Sequence, residues 1–409
     1  LLPAIQGYDW GNSDGFIHRL IEKRTGEKAE NRPMAEMWKG AHPSAPSRIS
    51  GHHFSINPEQ LYSEEMALND AIKQDPAHFL GRLQEKGYTT LPFLFKVLDA
   101  ARPLSIQAHP DKETAERLHR EDPAHYPDDN HKPELAISLG HFEAMAGFRP
   151  IAELYREAER LPPLAALCGL ETEDRGRLPA SEQWRAVYRR IMLSDALTIR
   201  RHAMDILHLL GQMRGSERDT WFVRLIEYSG PEDPGIFAIY LLNYLNLKAG
   251  EAIYLGPNEP HAYLKGQILE CMASSDNVVR GGLTSKFKDL PALLSMLTYS
   301  DIPPRILLPV PEGPLPYPAT YCVPVKDFRV SLLHRPEEPV AYVPLRPLSI
   351  VLLLEGKAVL HALQANQENT VQIGEAEALF IPGDLERRGI RLFLEPDSHA
   401  LIYEAGTSL

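Results

Sequence analysis

Residues 103–110 read Pro103-Leu104-Ser105-Ile106-Gln107-Ala108-His109-Pro110. Successive side chains of a strand face opposite sides. Leu104, Ile106 and Ala108 therefore share one face, and Ser105, Gln107 and His109 share the other. Such a polar row fits a strand with one face in water. It equally fits a strand whose polar face lines a site inside a β structure. On the second reading Gln107 and His109, two residues apart, both reach one ion.

Working outward, short alternating or apolar runs bounded by Pro and Gly fill residues 91–110, 132–149 and 250–273, the signature of strands. The last 90 residues are similar, with runs at 348–354, 358–363 and 378–381. Residues 111–121 read as a short helix between strands, capped by Asp111 and stopped by Pro123. The chain has 35 prolines in 409 residues, well above the usual ~5%, which favours short strands and turns over long helices. No proline lies between Pro179 and Pro231. In that window Ala196, Ile199, Ala203, Leu207 and Leu210 recur at helical steps, with Ser194 or Asp195 as the cap. Residues 181–192 and 151–160 read as further helices.

Four segments follow. Residues 1–150 and 246–315 form one β domain, 151–245 a helical insertion, and 316–409 a second β domain. Gly250-Glu251-Ala252 and Gly374-Glu375-Ala376 each precede a short strand ending in proline, a weak internal echo. The two β domains read as related barrels, of which only the first keeps metal-binding side chains.

The net charge is −12, which argues against general nucleic-acid binding but leaves room for a local basic pocket that takes a small anion. Cys168, Cys271 and Cys322 are too far apart for a disulfide framework or a thiolate metal box. Residues 1–11 lack a basic region followed by an apolar run, and no stretch reaches the ~18 apolar residues of a membrane span. A reducing cytoplasm is the expected compartment.

Three more segments carry chemistry. In Asn130-His131-Lys132-Pro133-Glu134, Glu134 opens an apolar strand and could equally be a surface loop charge. In Asn258-Glu259-Pro260-His261, a histidine follows prolines at the end of a strand. Gln107, His109, Glu134 and His261 together supply two imidazoles, a carboxylate and an amide. That set suits Zn²⁺, with Fe, Mn or Co possible. In residues 269–286, Glu270 alternates with Ile268 and Met272, so a carboxylate sits on an otherwise apolar face, where burial would raise its pKa. An edge carboxylate paired with a cation is the plainer alternative. Cys271, alternating with Leu269 and Ala273, reads as core, and Trp38 as packing. Arg280 precedes two glycines that allow close backbone approach, and Lys286 and Lys288 add positive charge.

At this point the chain resembles the type I mannose-6-phosphate isomerases of the bacterial kind. The resemblance rests on Tyr8-Asp9-Trp10-Gly11, Met34 to Trp38 with Gly40-Ala41-His42-Pro43, Leu91 to Lys96, Leu104 to Pro110, Asn130 to Glu134, Pro260 to Leu264, and Ser275 to Lys286. Beyond about residue 300 it is architectural only. It implies a mainly β fold with a cupin catalytic barrel, a helical insertion and a C-terminal jelly roll. It implies interconversion of D-mannose 6-phosphate and D-fructose 6-phosphate with one zinc ion, held by Gln107, His109, Glu134 and His261, and an active-site role for Arg280. The family commonly has Ala and Pro where Gly281 and Ser285 stand, and Ala where Asp9 stands.

The proton-transfer candidates are Glu270, Asp276, His131 and Lys132, left open among themselves. Ser105, Lys96, Lys286 and Tyr263 are the substrate and phosphate candidates. A sugar-phosphate substrate, no nucleic acid or membrane partner, and a monomer are expected. An iron-dependent oxygenase and a non-catalytic sugar-phosphate binder are the competing readings of the same residues.

Overall fold

The computed structural model describes residues 1–49, 65–170, 176–314, 317–339, 341–365 and 367–408. A ten-stranded antiparallel sheet organises the site. Its main path places Ala4–Gln6, Glu36–Lys39, Phe93–Ala100, His261–Ala273, Glu134–Phe148, Ala252–Leu255 and Ile306–Leu307 side by side. Ile106–Ala108 pairs with both His261–Ala273 and Val279–Gly282, and Leu242–Lys248 pairs with Glu134–Phe148. The main path ends at two different edge strands, so it does not close on itself among the described residues.

The strands split by period two. Met37, Phe93, Phe95, Val97, Leu135, Ile137, Leu269 and Cys271 form one core with the C-terminal domain. The alternate residues Glu36, Trp38, Lys96, Glu134, Glu270 and Met272 face a cavity on the other side. The C-terminal domain has a six-stranded and a four-stranded sheet. In its strand Ser349–Glu355, Ile350, Leu352 and Leu354 join the core shared with the first domain. Val351 and Leu353 join the core between the two C-terminal sheets. At roughly 1.5–3 kcal/mol per fully buried large apolar side chain, this shared core fixes one domain against the other.

The helical segment holds Ile151–Arg160, Pro162–Cys168, Ala180–Met192, Ala196–Leu210 and Glu217–Ser229, of which the last three lie in the proline-free window. Asp195 caps the fourth, its carboxylate accepting from Thr198 N at 2.8 Å. Asp111 likewise caps Lys112–Glu121 through Thr114 N. The insertion is anchored by Phe148, whose ring stacks on Trp184 at 4.9 Å and on Tyr299 at 5.4 Å. Ile106 and Ala108 face this same helical core. Helical structure ends at Leu241 rather than at 245, because Leu242–Lys248 is a strand. An apolar run such as 236–245 does not distinguish buried helix from buried strand by periodicity. The helices Phe16–Thr25 and Leu68–Gln74 have no counterpart in the sequence reading.

Lys39 is fully buried, on the same strand face as Met37, and its Nζ finds no hydrogen-bond partner among the described residues. Burial, and then Arg24, hold its pKa down to about 7. In the unfolded chain a lysine titrates near ~10.4. Between about pH 7 and 10 the unfolded state binds more protons, so this group makes stability rise with pH. Lys39→Met is expected to stabilise the protein at pH 7 by about 1–3 kcal/mol and to flatten that rise. Urea unfolding at pH 7 and pH 9 checks this. A variant weaker than wild type with an unchanged pH slope refutes it.

Candidate metal centre and active site

Prolines adjoin three of the four candidate ligands. Pro110 follows His109, Pro133 precedes Glu134, and Pro260 precedes His261, and the residue before a proline is driven to extended conformations. Glu134 opens its strand. His261 opens a strand of its own, His261–Ala273, rather than ending the preceding one. Antiparallel register sets His261 opposite Gln107, and Arg280 opposite Gln107 on the other side.

One ligand atom each from His109, Glu134 and His261 lies within 4.8 Å of the others. His109 Nε2 is 3.2 Å from Glu134 Oε1, and His261 Nε2 is 3.5 Å from Glu134 Oε2. The Gln107 amide is 3.3 Å from His261 Nε2, and its oxygen and nitrogen exchange by a half-turn. Each imidazole donates Nδ1–H to a backbone carbonyl: His109 to Asn277 O at 2.9 Å and His261 to Glu259 O at 3.1 Å. That leaves both Nε2 lone pairs facing the centre, the arrangement that orients histidine ligands. Among the described residues His109 Nε2 is buried with no hydrogen-bond partner, which an ion would satisfy. Burial, the largest influence, lowers the His109 pKa to about 4, so the ring is neutral at pH 7. Burial pushes Glu134 upward, but His109, Lys132 and its hydrogen bonds outweigh that and hold it well below the usual carboxylate range. Two neutral imidazoles, one carboxylate and one amide oxygen fit a divalent cation of borderline character.

Of the candidate ligands, Gln107 and Glu134 line a cavity of about 400 Å³. On its floor, cross-strand pairing sets Lys96 between Trp38 and Glu270. Lys96 Nζ is 3.1 Å from Glu270 Oε2 and 3.5 Å from Glu36 Oε2, and lies over the Trp38 ring at 5.0 Å. Tyr263 donates to Glu270 Oε1 at 2.8 Å. Burial lowers the Lys96 pKa, but Glu36, Glu270 and Glu134 raise it further, so it stays charged. An ion pair alone would depress Glu270. Burial first, and then Glu134, raise it instead, outweighing Lys96 and Lys132. Both Glu270 oxygens are thus occupied by donors, and Lys96 is committed to carboxylates rather than free for a phosphate.

At the mouth, Asp276 is half-exposed and only loosely held, by Ser44 Oγ at 3.3 Å and His42 Nε2 at 3.5 Å. Asp128 secures its loop, accepting from Ser275 Oγ, Asp276 N and the Asn277 side chain. The same loop carries the Asn277 carbonyl that orients His109. Arg280, Lys286, Ser105 and Lys132 also line the cavity. Lys132 Nζ is 3.4 Å from Glu134 Oε1, and Lys286 lies over Tyr8 at 5.4 Å. Close packing holds the Arg280 strand, Val279–Gly282, since a Cβ at Gly282 would sit 2.8 Å from the Gly235 Cα.

His131 is not brought to this cavity. Neighbours in an extended segment point opposite ways: Lys132 faces the ligands, and His131 Nε2 pairs with Asp327 at 3.1 Å. Trp38, read as packing, also forms cavity wall. Glu36 and Tyr8 are wall residues that the sequence reading missed. Glu36 sits two residues before Trp38 on the same face, which was the available signal.

A family model described as phosphomannose isomerase type I, catalytic domain, matches residues 1–151. Mannose-6-phosphate isomerase 1 of Arabidopsis thaliana is 36% identical, over 98% of this chain and 92% of that protein. The Homo sapiens mannose-6-phosphate isomerase is 35% identical, over 98% and 96%. A single-site variant of phosphomannose isomerase from Salmonella typhimurium superposes with a TM-score of 0.83 at 30% identity, covering 100% of this chain and 98% of that one. A mannose 6-phosphate isomerase bound with zinc and yttrium does so with a TM-score of 0.82 at 30% identity, covering 100% and 98%.

Proposed function

The chain belongs to the type I phosphomannose isomerases, and on that premise we propose that Gln107, His109, Glu134 and His261 hold one zinc ion beside which it interconverts D-mannose 6-phosphate and D-fructose 6-phosphate. The observation that carries the assignment is the buried His109–Glu134–His261 cluster with both Nδ1 atoms tied off. A divalent ion there supplies Lewis-acid polarisation of a substrate oxygen.

The reaction moves a proton between C1 and C2 through an enediolate. A base within reach of those carbons is needed, and we look for it among the less committed carboxylates of the cavity. Glu134 faces the metal centre, and the oxygens of Glu270 are taken by Tyr263 and Lys96. Asp276 lines the cavity and is held more loosely, by Ser44 Oγ at 3.3 Å and His42 Nε2 at 3.5 Å, and we assign it the proton transfer between carbons. Lys132 handles protons on oxygen, and the Arg280 guanidinium stabilises charge as it develops on the enediolate oxygens. Lys286 and Ser105 supply phosphate contacts. Three free thiols, two of them buried, agree with a reducing cytoplasm, and among the described residues no helix is long and apolar enough to cross a membrane. Relatives along the whole chain favour the isomerase over an oxygenase or a plain binder.

Asp276→Asn is expected to lower kcat by about 10²-fold with zinc content unchanged. Glu270→Gln should act mainly through stability, by leaving Lys96 with one fewer charged partner. Steady-state kinetics with metal analysis checks the pair. A near-normal Asp276→Asn beside an inactive, well-folded Glu270→Gln reverses the assignment.

A further inference from the structure

Beside the catalytic cavity lies a larger groove of about 870 Å³. The two share a wall made of Asp9, Pro103, Tyr228, Leu283, Thr284 and Ser285. Tyr228 is the bulkiest of these, and among the described residues it is the only side chain that the helical segment gives to the catalytic cavity. Its helix, Glu217–Ser229, is a fixed bracket. Ser216 and Asp219 cap it reciprocally, Trp221, Phe222 and Leu225 are buried, and Trp221 Nε1 donates to Glu143 on the sheet at 2.8 Å. Tyr228 follows Leu225 by three residues, so it stands one turn beyond that anchor. Its ring is about one-third exposed.

We propose that the Tyr228 ring is the partition that sets substrate length, closing the catalytic cavity against the groove so that it takes a six-carbon sugar monophosphate and rejects longer aldose phosphates. A rigid helix holds the ring at the boundary, and behind it lies space large enough for the rest of a longer chain, since small-molecule sites run to roughly 300–1,000 Å³. The helical insertion thereby acquires a part in specificity besides its packing. This rests on the cavity assignment above.

The test measures kcat and KM of wild type, Tyr228→Phe, Tyr228→Leu and Tyr228→Ala with mannose 6-phosphate and with a manno-configured aldoheptose 7-phosphate. Tyr228→Ala and Tyr228→Leu are expected to raise KM for the hexose phosphate and to shift the kcat/KM ratio toward the heptose phosphate by about tenfold or more. Tyr228→Phe should stay within about threefold of wild type on both substrates, because bulk and not the hydroxyl forms the partition. An unchanged ratio in both Ala and Leu variants overturns the proposal. So does a Phe variant that behaves like Ala. Equal loss on both substrates with KM unmoved marks a structural role and overturns it as well. A wild type that does not convert mannose 6-phosphate would refute the cavity assignment instead, so the two failures are separable.

Discussion

Replacing His109 by Ala is expected to remove the metal and to lower conversion by at least about 10³-fold, the several kcal/mol that a Lewis acid supplies to developing charge. The reason is specific to this centre. His109 is nearly solvent-free, and its Nε2, 3.2 Å from Glu134 Oε1, has no hydrogen-bond partner among the described residues. Its other nitrogen is fixed by Asn277 O. The ring therefore has one function left open to it. Removing it leaves one imidazole, one carboxylate and one amide oxygen, a weaker donor set for zinc than the proposed one. Metal content by mass spectrometry after gel filtration, measured with turnover on the same sample, decides the matter. A folded, metal-free His109→Ala with full activity would end the zinc assignment.

Replacing Arg280 by Ala is expected to lower kcat by about 10²–10³-fold while zinc stays bound, the typical loss on removing one preorganised donor from developing negative charge. The backbone at Arg280 pairs with that of Gln107, so the strand carrying a ligand survives the change. The side chain lines the cavity, and burial lowers its pKa, yet a guanidinium stays protonated in proteins. Low dielectric around it makes its charge count for more than it would in water. Arg280→Lys should recover only part of the loss, since a point charge replaces a planar fork. Loss of metal in Arg280→Ala would make the residue structural.

What the sequence disclosed follows from the range of the interactions involved. The face split at Ile106, Gln107, Ala108 and His109, and the placement of Glu270 opposite Cys271, are consequences of period two and need only neighbours. The structure bears both out, with Ile106 and Ala108 in the helical core and Cys271 in the core shared with the C-terminal domain. The proline-free window marked the helices Ala180–Met192, Ala196–Leu210 and Glu217–Ser229, because an interior proline is excluded from a helix. What stayed hidden depends on pairing across the chain. Lys96 meets Glu270 from 174 residues away, which turned a candidate phosphate cation into the partner of buried carboxylates. His131 meets Asp327 from 196 residues away, which drew a candidate base out of the cavity. Tyr228 reaches the cavity only because helix packing on the sheet carries it there. Neither the composition nor the spacing of its own segment records that.

Formation of fructose 6-phosphate from mannose 6-phosphate, followed in a coupled assay on purified protein before and after chelation and again after zinc is restored, tests the central claim most directly. Activity that vanishes with the metal and returns with one zinc per chain is the predicted result. Undiminished turnover in protein shown to be metal-free would contradict it.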